Sequence, residues 1–274
     1  MSFSPTVAVL LALLGVGVGA FGTIVGSGGG FILTPILLLL YPHDRAATVT
    51  AISLTAVFFN AASGSAAYAH QRRIDFRSGL AFAAAALPGS IAGALVVGAV
   101  SRSVFDVLMA VVLLGLAGWL LSGEPGSPRR PRGRLSPRLL TDRYGTTYRY
   151  DVPLRRGIAY STVVGFASSF LGIGGGVIHV PLLVRALGFP THLATATSHF
   201  VLAIIAGSGA ATHAITGSFA HGHGIRRAAA LSAGVVVGAQ LGARLSLRAS
   251  GRVVEGLLGI ALLALAGRLL FAAL

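Results

Sequence analysis

The chain has 274 residues, 54% of them hydrophobic and only 10% charged, with a mean hydropathy of +0.83, whereas a soluble domain has about a quarter of its residues charged. This excludes an ordinary soluble enzyme, because at roughly 20 apolar residues per helical span the length holds about eight to ten membrane segments and little else. All 21 basic residues are arginine, and against 7 acids they give a formal net charge of +14. With no lysine the chain has no Walker A loop and no Schiff-base chemistry. With no cysteine it has no disulfide, thiol catalysis or iron–sulfur ligation.

Apolar runs broken by charge or turn residues lie at 6–25, 31–41, 46–70, 79–100 and 104–121. The first has no positive residue ahead of it and no small-x-small cleavage site, so it reads as a retained helix rather than a signal peptide. The second is too short for a full span and follows Gly26, Ser27, Gly28, Gly29 and Gly30, with Pro35 inside it. Consecutive glycines at membrane depth indicate a broken helix, which is tolerated where it lines an enclosed cavity. The free N–H groups at the start of the half-helix attract an anion. The next run carries Thr50 and Ser53, three residues apart on one face.

Residues 122–156 interrupt this pattern with five of the eleven prolines and nine arginines, Arg129 to Arg156. Arginines concentrated between apolar runs mark the cytoplasmic side of a membrane protein and favour anionic headgroups, so the basic excess reads as topology and not as nucleic-acid binding. Asp142 to Tyr148 has the composition of a small hairpin.

Apolar runs resume at 157–172, 177–188, 192–216, 228–247 and 253–273, and this second set copies the first. Gly28, Gly29, Gly30 and Pro35 recur as Gly174, Gly175, Gly176 and Pro181; Gly89 and Gly93 recur as Gly238 and Gly242; Asp106 matches Glu255. The two acids are expected in the first turn of their helices, where they complement the dipole. The chain is therefore read as an all-α polytopic membrane protein made of a first repeat (1–121), a basic cytoplasmic loop (122–156) and a second repeat (157–274). Five segments per half, an odd number, give inverted repeats with both termini opposite the loop; four per half give parallel repeats. Ten segments, two of them short, is the expected count.

The second repeat adds Thr195, Ser198 and His199 on one helix face, His179 after the glycines, and His213. Hydroxyls donate to an oxyanion without the cost of burying a guanidinium. Intramembrane ionisable residues are functional candidates, and His179 or His199 can carry a proton near neutral pH; His213 reads as structural. Gly17, Gly19 and Gly22 match the spacing of a dinucleotide fingerprint but lie inside an apolar helix with no preceding strand. His221 and His223 have a spacing open to a metal but, as two histidines in a glycine-rich loop, read as solvated, and the duplication argues against a single nucleophile. No enzyme activity and no cofactor is expected.

The runs from Phe21 through Gly26–Gly30 to Pro35, and from Phe170 through Gly172–Gly176 and His179 to Pro181, continuing through Gly188 and Pro190 to Ser198 and His199, resemble the sulfite exporter TauE/SafE family, also called the toluene sulfonate uptake permeases. The resemblance covers essentially the whole chain. It implies a cytoplasmic-membrane permease of sulfite, thiosulfate or an organosulfonate, usually with two inverted repeats. The expected substrate-binding residues are Ser27, Gly28, Gly29, Gly30, Thr50, Ser53, Gly174, Gly175, Gly176, His179, Thr195, Ser198 and His199. A passive anion channel and a membrane scaffold or enzyme subunit are the alternatives.

Overall fold

A computed structural model describes residues 4–121, 135–219, 223–246, 259, 260 and 262–268. In chain order the helices are α1 (Pro5–Val25), α2 (Gly30–Leu40), α3 (Ala46–His70), α4 (Phe76–Val96, extended by a 3-10 turn Val97–Ala99) and α5 (Arg102–Leu121). A hairpin of β1 (Ser136–Thr141) and β2 (Thr147–Val152) then leads to α6 (Leu154–Leu171), α7 (Gly176–Arg185), α8 (Thr191–Ile215) and α9 (Gly224–Leu245); residues 259, 260 and 262–268 are also helical. The protein is mostly helical, as expected, and every described apolar run is a helix. Glu255 and His221 lie outside the described residues, as does 122–134 of the basic loop.

Local chemistry sets the boundaries. Helix α1 starts where the Ser4 hydroxyl accepts from Val7 N, with Pro5 at the first position. It stops at Gly26, whose φ of 80° is left-handed, a conformation that costs a side-chain-bearing residue 1–2 kcal/mol, roughly. By length and composition, α1, α3, Phe76–Ala99, α8 and α9 can each cross a membrane. Helices α2 and α7 have 11 and 10 residues; at about 1.5 Å per residue they reach about half of a bilayer core.

Six of the long helices pack as three pairs. Helices α3 and α8 run antiparallel through the centre, with Gly64 against His199, Gly207 against Phe58 and Gly209 against Leu54. Helix α1 runs parallel to α9, with Ala12, Val16 and Ala20 meeting Gly234, Gly238 and Gly242 in turn. Helix α4 runs parallel to α6 in the same manner, Gly89 on Thr162 and Gly93 on Phe166. The glycines matched between the halves at the sequence level thus mark equivalent backbone contacts: a Cβ at Gly89, Gly93, Gly238 or Gly242 would strike a carbonyl oxygen of the partner helix.

The expected hairpin forms, with Ser136 opposite Val152 and Thr141 opposite Thr147. Its turn is organised by Asp142, whose Oδ1 accepts from Tyr144 N and Thr146 N at 2.9 Å each. It docks on the α3–α4 turn: Arg73 pairs with Asp142 at 3.5 Å, Arg138 pairs with Asp75 at 3.3 Å, and Tyr150 donates to Asp75 at 3.0 Å. Gln71 links this end to α9, accepting from Arg143 N and donating to the Ala243 carbonyl. At the opposite end Arg227 pairs with Asp44 at 2.6 Å and lies over the Tyr41 ring. Because α1 runs parallel to α9, whose C-terminal end lies by the hairpin, the N-terminus of α1 lies at the far end. Asp106 sits one turn into α5 rather than in its first turn, where it chelates Arg102 at 2.8 and 3.0 Å. Arg102 also donates to the carbonyls at the end of α2, so the acid orients a structural arginine and does not cap the helix.

Candidate functional site

Each half-helix is preceded by three left-handed glycines: Gly26, Gly28 and Gly29 (φ 80°, 72° and 80°) before α2, and Gly172, Gly174 and Gly175 (φ 69°, 80° and 66°) before α7. Ser27 and Ile173 are the lone side chains inside these two turns. The pattern is conformational: only glycine populates such a series of positive φ values at little cost.

The two turns cross each other in the buried centre. A Cβ on Gly30 would lie 2.7 Å from the Ile173 carbonyl, and one on Gly176 would lie 2.5 Å from the Gly26 oxygen and from Ser27 Cα. Gly28 and Gly174 both face Val57 and Leu202, one residue from each central helix. The starts of α2 and α7 therefore meet, and the first N–H groups of a helix have no intrahelical acceptor. Two partial positive charges converge there.

The central helices clamp this crossing symmetrically. Thr50 of α3 packs on Gly172, and Thr195 of α8 packs on Gly26. Ser53 donates to the Gly172 carbonyl at 2.8 Å, as Thr34 does at 2.7 Å; Ser198 donates to the Gly26 carbonyl at 3.3 Å. Each half thus holds the glycine turn of the other, and its hydroxyls cover carbonyl oxygens that repel an anion. Thr50 donates in addition to the carbonyls of Ala46 and Ala47 and touches His213 Nε2 at 3.3 Å.

Of the residues singled out in the sequence, Ser27, the two glycine triplets, Thr50, Ser53, Thr195 and Ser198 meet at this crossing. His199 sits one layer out, with Nε2 3.3 Å from Asn60 Oδ1, its ring edge-on to Tyr68, and Nδ1 buried without a hydrogen-bond partner among the described residues. His179 is set apart: it faces Ser161 at 3.3 Å and Phe82, between α7, α6 and α4. Ser27, Thr50, Ser53 and Ser198 have 0% exposure, so no water-sized probe reaches them in this conformation.

Several polar residues of the centre escape a sequence reading. Asn60 donates to the carbonyls of Gly19 and Val235 and accepts from Thr23; it is the only asparagine in the chain, and an amide inside an apolar run is the signal that points to it. Ser90 joins Ser169 and Ser208 at 2.7 and 2.6 Å. Ser168 Oγ is buried beside Gly175 without a hydrogen-bond partner among the described residues. Serines in a small-residue helix give no signal that separates these from packing positions.

The family description "Sulfite exporter TauE/SafE" matches residues 11–269. The probable membrane transporter protein YunE of Bacillus subtilis (strain 168) is 28% identical over 96% of this chain and 97% of its own length. The probable membrane transporter protein MJ0441 of Methanocaldococcus jannaschii is 26% identical over 69% of this chain and 66% of its own, and one from Xylella fastidiosa (strain Temecula1) is 30% identical over 68% and 67%. No solved structure matches significantly. With a match that spans both glycine turns and both central helices, the chain belongs to the sulfite exporter TauE/SafE family of multi-pass membrane transporters.

Proposed function

We propose that the protein is a secondary permease for a small sulfur-containing anion (sulfite, thiosulfate or an organosulfonate), bound where the two glycine turns cross. One observation carries this reading: the positive ends of two half-helices converge on one buried point, and the nearby carbonyls of Gly26 and Gly172 are covered by the hydroxyls of Ser198, Ser53 and Thr34. An anion between the turns relieves the mutual repulsion of the two helix ends and accepts those first N–H groups that the turns leave unbonded, Gly176 N–H being taken by the Gly174 carbonyl at 2.8 Å. Ser27, Thr50, Ser53 and Ser198 donate to main-chain carbonyls in this conformation and, with Thr195, become donors to the anion by rotating off those carbonyls as it binds. His199, with its unpartnered Nδ1, is the first candidate for coupling a proton, and His179 the second.

The closed packing of the crossing corresponds to an occluded state, and transport requires the central helices to part first at one end and then at the other. Repeats 1–121 and 157–274 are the two rocking bodies. The antiparallel course of α3 and α8, and the placement of the start of α1 opposite the hairpin, support five segments per repeat and an inverted arrangement. The basic 122–156 loop then faces the cytoplasm and the protein spans the cytoplasmic membrane.

The test is counterflow of labelled sulfite in liposomes, competed by thiosulfate, a small sulfonate and a carboxylate control. Saturable exchange competed by the sulfur anions alone is expected. Sulfite flux without saturation or exchange replaces the permease with a channel, and no flux from folded protein overturns the assignment of these substrates.

A further inference from the structure

At the end of the molecule away from the hairpin lies a solvent-open cavity of about 670 Å³, walled by Arg45, Thr48, Ser101, Thr216 and Ser218 among others. Its lining is polar where the lateral groove formed by Phe58, Phe59 and Ile225 is apolar. Arg102 on the rim is occupied by Asp106 and by main-chain carbonyls. Arg45 is exposed and makes no ion pair among the described residues. Helices α3 and α5 both begin at this wall, adding partial positive charge.

From the cavity a single file of polar groups leads inward. Ser218 on the wall accepts Thr48 Oγ1 on its carbonyl at 3.0 Å, and its hydroxyl meets His213 Nδ1 at 3.1 Å. The other ring nitrogen of His213 meets Thr50 Oγ1 at 3.3 Å, and Thr50 packs directly on Gly172 of the crossing. His213 is fully buried. It joins the end of α8 to the start of α3, between the cavity and the crossing. Thr50 and Ser53 correspond to Thr195 and Ser198, and the same offset sets Tyr68 opposite His213. Tyr68 donates to the Thr23 carbonyl at 2.8 Å and has no comparable contact with Thr195, so the two ends are latched by different chemistry.

We propose that this cavity is the antechamber for a small sulfonate or sulfite anion on the side away from the hairpin, with Arg45 as its cation, and that His213 is the gate between the antechamber and the glycine crossing. The proposal rests on the permease reading for its ligand, and it assigns to His213 a role beyond the structural one expected from the sequence.

The absence of cysteine from the chain makes the test direct. Single cysteines are placed at Thr216 in the cavity and at Ser53 behind the gate, in the full-length protein in vesicles of each orientation. Both are labelled with a membrane-impermeant anionic thiosulfonate reagent. Methanesulfonate serves as the competing anion, because sulfite itself attacks such reagents. Thr216→Cys should label at least tenfold faster than Ser53→Cys from the face away from the hairpin. His213→Ala should raise the Ser53→Cys rate severalfold from that face and not from the other, while His213→Asn, which keeps a side-chain donor, should raise it less. Methanesulfonate should slow labelling of Thr216→Cys, and Arg45→Gln should remove that protection.

Size-exclusion profiles matching the parent establish that each variant is folded. An unchanged Ser53→Cys rate in folded His213→Ala overturns the gate, and labelling of Thr216→Cys that ignores methanesulfonate overturns the antechamber. These readouts need no flux, so absence of counterflow in the parent protein would count against the permease reading and leave the antechamber and gate to be judged by labelling alone.

Discussion

Replacing Gly176 by alanine tests the crossing of the two glycine turns most cleanly, because Gly176 is the first residue of α7 and its φ is not in the left-handed region. Any effect therefore reports close approach and not backbone strain. The added Cβ would stand 2.5 Å from the Gly26 oxygen and from Ser27 Cα, a shortfall of roughly 0.8 Å against an ordinary C···O approach of about 3.3 Å. The obstructing atoms are backbone, held in a left-handed turn, so they cannot rotate away as a side-chain tip does. Overpacking of this kind costs about 1–3 kcal/mol, which outweighs the gain of up to about 1 kcal/mol from replacing glycine in a helix. The same change at Gly17, where a Cβ meets nothing within 4 Å, should be neutral or slightly stabilising. Thermal unfolding in detergent and sulfite counterflow are compared for both variants. Gly176→Ala should lower the midpoint and cut exchange, with Gly17→Ala like the parent. A Gly176→Ala protein with parental midpoint and exchange would refute the close crossing of the turns.

Ser53→Ala removes one of two hydroxyls on the Gly172 carbonyl and should cost about 1 kcal/mol, whereas the longer 3.3 Å bond from Ser198 to Gly26 predicts a smaller loss for Ser198→Ala, measured by unfolding of each variant. Asp142→Ala leaves buried Arg73 without its partner and unties the turn, so tryptic cleavage at Arg143 and Arg149 should quicken at least tenfold; an unchanged rate would mean the hairpin is held by its apolar face alone. Burial, and then the charge of Asp75, raise the Tyr150 phenol well above the usual range, and burial raises Tyr148 as well. A raised folded-state value means that stability is intact below about pH 10 and falls as pH rises above it. Tyrosinate absorbance should therefore show a late-titrating group that Tyr150→Phe removes. Ser4→Cys, ahead of α1, and Thr146→Cys should label from opposite faces of the membrane; labelling from one face would exclude an odd number of segments per repeat.

Much of the architecture is legible from residue order because it follows from local rules. Apolar runs too long for a globular core can only be bilayer helices, and the glycine triplets can only be breaks, since no other residue sustains consecutive positive φ values. Asp142 and Gly145 announce the hairpin turn for the same reason. The recurrence of each break with its proline is the sequence ground for reading a duplication, and arginine clustering singles out the central loop.

Which polar groups meet is a different matter, because it depends on how helices far apart in sequence rotate against one another. Thr50, Ser53, Thr195 and Ser198 are recognisable as candidates in the sequence, yet nothing local says that each reaches the glycine turn of the other half. His179 and His199 look alike as intramembrane histidines, but packing sends one toward Phe82 and Ser161 and the other into a network with Asn60. His213 reads as structural in the sequence, and only the antiparallel fit of α3 and α8 brings it against Thr50. Backbone conformation and membrane insertion are written residue by residue, whereas a site shared between two halves exists only once those halves have packed.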